Sequence, residues 1–129
     1  MLDHDPARAR QKPARVAGVA RIFTAAGYSL GGAQRLWREP ACRQEVVATA
    51  VVLVLFVLTG ASLVAFVVFA ILALMVFATE ALNTALEEIV DHLSPEWSVF
   101  AKHAKDLGSL AVMCQIIAAG LFAGYVLLT

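Results

Sequence analysis

Residues 46–79 read VVATAVVLVLFVLTGASLVAFVVFAILALMVFAT, a run of 34 residues without one charged side chain. Because about 20 apolar residues cross a bilayer, the run is too long for one span, and as a single helix it would measure about 51 Å. Its only turn signal is the sequence TGAS at residues 59–62, where we expect the chain to reverse its direction. The run therefore predicts two membrane-spanning helices, which their flanks extend to about residues 40–59 and 62–92.

A second uncharged run covers residues 107–129 and predicts a third spanning helix at about residues 104–128. Hydrophobic residues make up 60% of the chain and charged residues 16%, which departs from the average soluble protein in both directions. This composition excludes an ordinary soluble globular domain. We therefore predict an all-α integral membrane protein in which residues 16–129 form a single membrane domain.

The segment before the first apolar run is more polar. Residues 1–15 contain two prolines and four basic residues with little to bury, which is typical of a disordered, positively charged tail. In residues 16–38, apolar positions recur at helical spacing opposite Arg21, as expected for an amphipathic surface helix whose arginines face lipid phosphates. The three glycines between residues 27 and 32 are expected to break this helix. A plain membrane-surface anchor would explain the same pattern.

Three spans place the N-terminus and residues 80–106 on one side of the membrane, and the TGAS turn and the C-terminus on the other. All ten Lys and Arg residues lie on the first side, which is therefore predicted to be cytoplasmic, while the C-terminus is periplasmic or external. Residues 93–100 contain a Ser-Pro breaker and Trp97, an aromatic residue suited to the membrane surface. They are predicted to form a cytoplasmic loop before the third span.

Residues 80–91, EALNTALEEIVD, follow the apolar run directly and carry an acidic stripe. Such a stripe at the end of a membrane helix is costly unless a cation meets it. A divalent cation such as Mg²⁺ that carries a phosphate ligand binds oxygen ligands of this kind. At about 100° per residue, one face of the helix presents the side chains of Glu80, Asn83, Thr84, Glu87, Glu88 and Asp91.

Further ionisable and polar residues are expected at the same surface. Basic side chains suit a phosphate chain, and a carboxylate that is not bound to metal can act as a general base. Together these groups predict phosphoryl transfer at the membrane surface. The candidates are the acidic Glu39, Glu45, Glu80, Glu87, Glu88 and Asp91, the basic Arg21, Arg43, Lys102 and Lys105, and the polar Ser29, Asn83 and Ser109.

Simpler interpretations apply to several of these residues. Glu88 and Asp91 are predicted to be solvated neighbours at a helix end, and Lys102 is expected to extend its ammonium group to water. His92 and His103 fit ordinary surface histidines. The sequence has no Walker A loop, kinase catalytic loop or Rossmann glycine fingerprint. A small cation or proton transporter is the alternative of another class, but transport sites lie near the bilayer midplane, where this sequence has no charge.

Four segments occur in order along the chain: RIFTAAGYS (21–29), CRQE (42–45), EALNTALEEIVD (80–91) and AKDLGS (104–109). On three spans, they resemble the prokaryotic diacylglycerol kinase family, and the resemblance covers roughly residues 19–129. It implies a homotrimeric helical bundle, with one surface helix and three transmembrane helices per subunit and active sites shared between neighbouring subunits. It also implies transfer of the γ-phosphate of MgATP to a lipid hydroxyl at the cytoplasmic face of the bacterial inner membrane.

The resemblance further implies individual roles. Glu80 corresponds to the catalytic base, Asn83 is expected to orient the base or a phosphate, and Glu39 and Glu87 are expected to hold the divalent ion. The residues expected to contact ATP, metal ligands included, are Arg21, Tyr28, Glu39, Glu87, Glu96, Trp97, Ser98, Lys105 and Asp106. Those expected to contact the lipid are Ala25, Ala26, Gly27, Tyr28, Ser29, Leu30, Trp37, Arg43, Glu45, Glu80 and Ser109.

The sequence departs from the family pattern in two respects, one of spacing and one of residue type. The spacing from Trp37 to Glu39 is one residue shorter, and Gly31 and His103 stand where basic residues are expected, so local phosphate contacts differ. The AAGYS segment and Trp37 resemble the branch that phosphorylates diacylglycerol to phosphatidic acid, which is therefore the expected acceptor. Undecaprenol is the alternative acceptor.

Overall fold

A computed structural model describes residues 14–129, which form four helices and no strand. Three of the helices are long and apolar enough to cross a membrane, namely α2, α3 and α4. The predicted all-α membrane fold with an additional N-terminal helix is confirmed. Of the predicted disordered tail, residues 1–13 lie outside the described part of the chain. The helices are α1 (Val19–Leu36), α2 (Pro40–Thr59), α3 (Leu63–Leu93) and α4 (Val99–Leu128).

The chain divides into two compact units, one ending at Gly31 and the other running from Gly32 to Thr129. The boundary between the two units lies within α1, which has no buried residue. This helix continues without interruption through the glycines at 27–32 to Leu36, so the expectation that they break it is wrong. The reason is energetic, because a glycine inside a helix costs only about 1 kcal/mol relative to alanine.

The turn between α2 and α3 lies where the sequence predicts it. Gly60 adopts a left-handed conformation with φ 70°, which glycine reaches without the steric cost of a side chain. The amide of Ala61 donates a hydrogen bond to the carbonyl of Phe56 (2.9 Å). Ser62 then caps α3, its hydroxyl accepting from the amide of Ala65 at 3.2 Å. The two apolar helices therefore meet in a short, locally specified reversal.

Helix α4 begins at Val99 rather than at about residue 104. Ser98 supplies the start, because its hydroxyl accepts a hydrogen bond from the amide of Ala101 at 3.1 Å. The connecting loop is accordingly 94–98 rather than 93–100. The charged residues before the third apolar run therefore lie on a helix and point in directions fixed by its period.

In the second unit, α3 makes its largest contact with α4, and α2 contacts both. Phe56 of α2 is fully buried, and its ring lies 5.6 Å from that of Phe66 and 5.5 Å from that of Phe69, centroid to centroid. Alanines at 119 and 123 of α4 complete this cluster. Aromatic packing of this kind stabilises the helices at the end nearest the Gly60 turn.

Helix lengths determine where polar residues meet the membrane surface. The 20 residues of α2 span about 30 Å, which matches the hydrocarbon thickness of a bilayer. The 31 residues of α3 and the 30 of α4 span about 45 Å each. The excess lies at the end away from Gly60, so α3 leaves the apolar layer near Glu80 and α4 enters it near Ser109.

Candidate active site

Glu80 is a buried carboxylate, with 6% of its surface exposed. The charges of Glu87 and Glu39 both act on it, and its own charge acts on Glu45. Thr84, one turn further along α3, is also buried. In the part of the chain that the structure describes, no side-chain hydrogen bond engages Glu80. The site therefore contains a desolvated acid under the influence of other carboxylates, which is the arrangement in which a cation or a transferable proton is needed.

Asn83 and Glu87 form the polar edge of α3 beside Glu80. The Nδ2 atom of Asn83 donates a hydrogen bond to Oε1 of Glu87 at 3.1 Å, as their spacing of four residues allows. The other atom of the amide, Oδ1, is buried and has no hydrogen-bond partner among residues 14–129. The predicted orienting amide and the predicted metal ligand are thus joined directly.

Glu39 lies immediately before α2 and is held by Arg35. Nη1 of Arg35 is 2.5 Å from Oε1 of Glu39, and its Nε is 2.5 Å from Oε1 of Glu88. Hydrogen bonds to Glu39 and then to Glu88 raise the pKa of Arg35, which keeps the guanidinium charged. Arg35, one of the surface-helix arginines expected to face lipid phosphates, is therefore bound to two carboxylates. Glu88, although half exposed, is ion-paired rather than merely solvated.

Two further ion pairs involve residues expected to contact ATP. Nζ of Lys105 lies 2.5 Å from Oδ1 of Asp91, which joins α4 to the end of α3. Lys102 lies 2.5 Å from Oδ2 of Asp106 on the same helix. All four side chains are between 39% and 63% exposed. These ion pairs are therefore weak, and another charged group can replace either partner at small cost. Asp91, which the sequence predicts to be a solvated residue at the helix end, is therefore also ion-paired with Lys105.

The loop 94–98 presents the remaining second-unit residues expected to contact ATP. Glu96 and Trp97 are exposed. Ser98 caps α4 and its hydroxyl also lies 2.9 Å from that of Ser94. Ser98 thus acts as the N-cap of α4. A serine directly before a helix is a sequence signal for this role.

The residues expected to contact the lipid in the second unit surround the start of α2. Glu45 is half-buried, and its Oε2 atom has no hydrogen-bond partner within the described residues. It borders a cavity of about 370 Å³ between α2, α3 and α4, whose walls are otherwise mostly apolar. Arg43, Trp37 and Ser109 are exposed.

The first unit carries the other expected ligand contacts. Arg21, Tyr28 and residues 25–30 are exposed along α1. The hydroxyl of Ser29 donates to the carbonyl of Ala25 at 3.1 Å, a bond within the helix.

Within the second unit, Asn83 and Glu87 are in direct contact, and the charges of Glu87 and Glu39 both act on Glu80. Sequence reasoning missed Arg35, although its spacing of four residues from Glu39 was a usable signal. Among the described residues, no group of three or more His, Cys, Asp or Glu side chains is placed to hold a metal ion. One or two carboxylates completed by phosphate oxygens and waters are nevertheless what Mg²⁺ usually takes in ATP-dependent enzymes.

The fold is that of a small integral membrane protein with three apolar helices. Its polar site contains carboxylates and lies at the bilayer surface, where α3 leaves the apolar layer. Residues 27–127 match the family model described as prokaryotic diacylglycerol kinase. A diacylglycerol kinase of Sinorhizobium sp is 50% identical over 111 residues, covering 86% of this chain and 81% of that protein.

Two further relatives carry the same name. The diacylglycerol kinase of Escherichia coli (strain K12) is 37% identical over 103 residues, covering 79% of this chain and 84% of the relative. That of Pseudomonas aeruginosa is 37% identical over 95 residues, covering 73% and 77%. The chain belongs to the prokaryotic diacylglycerol kinase family, and the family predicted from the four sequence segments is confirmed.

Proposed function

We propose that this protein transfers the γ-phosphate of ATP to the free hydroxyl of diacylglycerol, giving phosphatidic acid and ADP. The observation that carries the proposal is the buried Glu80 at the level where α3 leaves the apolar layer. A lipid hydroxyl and a water-soluble nucleotide can meet only at such a level. The names of the relatives support the choice of acceptor.

Glu80 is the proposed catalytic base. The lipid hydroxyl oxygen attacks the γ-phosphorus, its proton passes to the Glu80 carboxylate, and the bond between the γ-phosphorus and the β,γ-bridging oxygen breaks to release ADP. Burial suits this role, because a desolvated carboxylate is more easily protonated. Asn83, hydrogen-bonded to Glu87, orients the base or a phosphate.

Glu39 and Glu87 are the proposed ligands of Mg²⁺, and their carboxylate oxygens fit this hard cation. When bound, the ion neutralises charge on the transferring phosphoryl group. Arg35 already offsets the charge of Glu39 through its ion pair. The cluster of carboxylates around Glu80 is thus a set of charges that a divalent ion would stabilise.

The proposed nucleotide contacts are basic and polar residues at the same end of the second unit, together with residues of α1. Lys105 is paired with Asp91 at 2.5 Å, and both side chains are well exposed, so a phosphate can replace the carboxylate at small cost. The other proposed ATP contacts are Asp106, Glu96, Trp97, Ser98, Arg21 and Tyr28.

The proposed lipid path runs along the apolar cavity beside Glu45. Its volume of about 370 Å³ and apolar walls suit part of an acyl chain. Glu45 at its edge provides a polar end for the glycerol hydroxyl, with Arg43, Ser109, Trp37 and residues 25–30 as further proposed contacts. A long polyprenol would also be apolar, so the acceptor has to be tested directly.

We further propose the assembly and location that the family resemblance implies. Three subunits form a trimer with active sites shared between neighbours. The protein lies in the bacterial inner membrane with its N-terminus in the cytoplasm. The exposed apolar surfaces of α2, α3 and α4 are available to lipid or to other subunits.

The decisive experiment offers γ-labelled ATP and Mg²⁺ to the purified protein with diacylglycerol and undecaprenol in parallel. We expect labelled phosphatidic acid from the trimeric protein. Glu80→Gln is expected to lower the rate at least about 100-fold while the oligomer mass is unchanged. The matched control is Thr79→Val, which is expected to keep its activity. Among the described residues, the Thr79 hydroxyl donates only to the Met75 carbonyl, at 2.8 Å within the helix.

Three outcomes would contradict the proposal. Normal turnover by Glu80→Gln would remove Glu80 as base, and preferential labelling of undecaprenol would replace the acceptor. Ion flux into liposomes without ATP, in a protein that labels neither lipid, would favour a transporter.

A further inference from the structure

Gly108 of α4 lies directly against the side chain of Asn83 on α3. A Cβ atom placed on Gly108 would collide with Oδ1 of Asn83 and would lie 3.2 Å from its Cγ. A Cβ on any of the other seven glycines would meet nothing within 4 Å among the described residues. The close approach is therefore specific to the pair Gly108 and Asn83.

The rest of the Asn83 amide is fixed by a second contact. Nδ2 donates to Glu87 at 3.1 Å, while Oδ1 is buried and receives no hydrogen bond from residues 14–129. An amide can turn only as a plane, so the surface that receives Oδ1 also sets the direction of Nδ2. At this position that surface is the bare backbone of Gly108.

We propose that Gly108 is a positioning residue, whose missing side chain leaves a notch in α4 that holds Asn83 with its amide group directed at Glu87. Gly108 acts through Asn83 and touches no substrate. The inference rests on the proposed function in so far as Asn83 and Glu87 belong to the active site. Any side chain at residue 108 displaces the amide and frees the Glu87 carboxylate to rotate.

The notch can be observed without any enzyme assay. Asn83 is the only asparagine in the chain, so labelling asparagine with ¹⁵N gives one side-chain nitrogen signal in NMR spectra. We expect this signal to shift in Gly108→Ala and in Glu87→Gln. It should stay in place in the matched control Gly124→Ala, which adds the same methyl group to α4 where nothing lies within 4 Å.

Activity is tested by a double-mutant cycle. Gly108→Ala is expected to lower kcat/KM for MgATP about tenfold or more and to weaken binding of Mn²⁺ with a non-hydrolysable ATP analogue, measured by electron paramagnetic resonance. In the Asn83→Ala background the same substitution should change kcat/KM less than twofold, because the displaced atom is already gone. Gly124→Ala should be silent in both backgrounds.

The proposal is overturned if Gly108→Ala leaves the amide signal and the activity unchanged, or if it costs the same in both backgrounds. Should Gly108→Ala fail to fold, adding Asn83→Ala is expected to restore folding by removing the colliding atoms. A double variant that stays unfolded would also overturn the proposal. If the wild-type protein labels no lipid, the proposed function fails while the NMR result still decides whether the notch exists.

Discussion

Glu80 and Glu87 lie two turns apart on α3 and differ in what their carboxylates contact. Glu80 is buried, and within residues 14–129 no side chain donates a hydrogen bond to it. Glu87 is half-buried and accepts from the Asn83 amide at 3.1 Å. A carboxylate without donors is free to take a proton, whereas one oriented by an amide is suited to hold a metal. Their environments therefore separate the two proposed roles.

For Glu87→Gln, we expect the Mg²⁺ concentration that gives half-maximal rate to rise about tenfold or more. The reason is that a neutral amide oxygen is a weaker ligand for Mg²⁺ than a carboxylate. The measurement is the initial rate at saturating ATP over a Mg²⁺ titration. The control is Glu88→Gln, a change at the next residue, whose carboxylate contacts Arg35 rather than Asn83. It should shift the Mg²⁺ midpoint far less. Equal midpoints for Glu87→Gln and wild type would remove Glu87 as a ligand.

Among the elements, the last turn of α1 is tied to the ends of two other helices through one side chain. Arg35 reaches Glu39, immediately before α2, and Glu88, near the end of α3. The hydrogen bonds to Glu39 and Glu88 raise its pKa, so the guanidinium stays charged at physiological pH. Exposed ion pairs add little to global stability, so the consequence is local: they fix the direction of Glu39.

Arg35→Gln is expected to speed amide hydrogen exchange in residues 37–42 while the melting temperature changes little. High salt should produce a similar increase in the wild-type protein, because it screens exposed charges, and should have little effect in the variant. The control is Arg38→Gln, an exposed arginine without an ion pair in the described chain. Equal exchange in Arg35→Gln and Arg38→Gln would show that Arg35 does not hold this turn.

At the scale of the whole molecule, the distribution of charge favours one orientation of the three spans. The three helices long enough to span place the Gly60 turn and the C-terminus on one side. No lysine or arginine occurs in residues 46–79 or 107–129, so none can be on that side. The proposed site, at the opposite ends of α2 and α3, would then face cytoplasmic ATP.

A C-terminal fusion tests this orientation. Alkaline phosphatase fused after Thr129 is expected to be active, and green fluorescent protein at the same point is expected to be dark, because both report an external C-terminus. Ending the chain at Asp106 removes the third apolar run and should reverse both signals, which provides the control. A fluorescent full-length fusion would contradict the proposed orientation.

The sequence by itself determined the number of spans, the turn at Gly60 and the start of α2 at Pro40. Charges are excluded from a bilayer and turn signals are local, so these features depend only on neighbours along the chain. The acidic face of α3 was also predictable, since it follows from the helical period. The start of α4 at Val99, after the Ser98 cap, also depends only on neighbours along the chain.

Only the tertiary structure decided which side chains meet between helices. Three contacts join residues that belong to different helices. They are Arg35 with Glu88, Lys105 with Asp91 and Asn83 against Gly108. Helical period gives the face on which a residue lies, but the partner depends on how far one helix is shifted and rotated against another. Side-chain packing across the whole interface sets that shift and rotation.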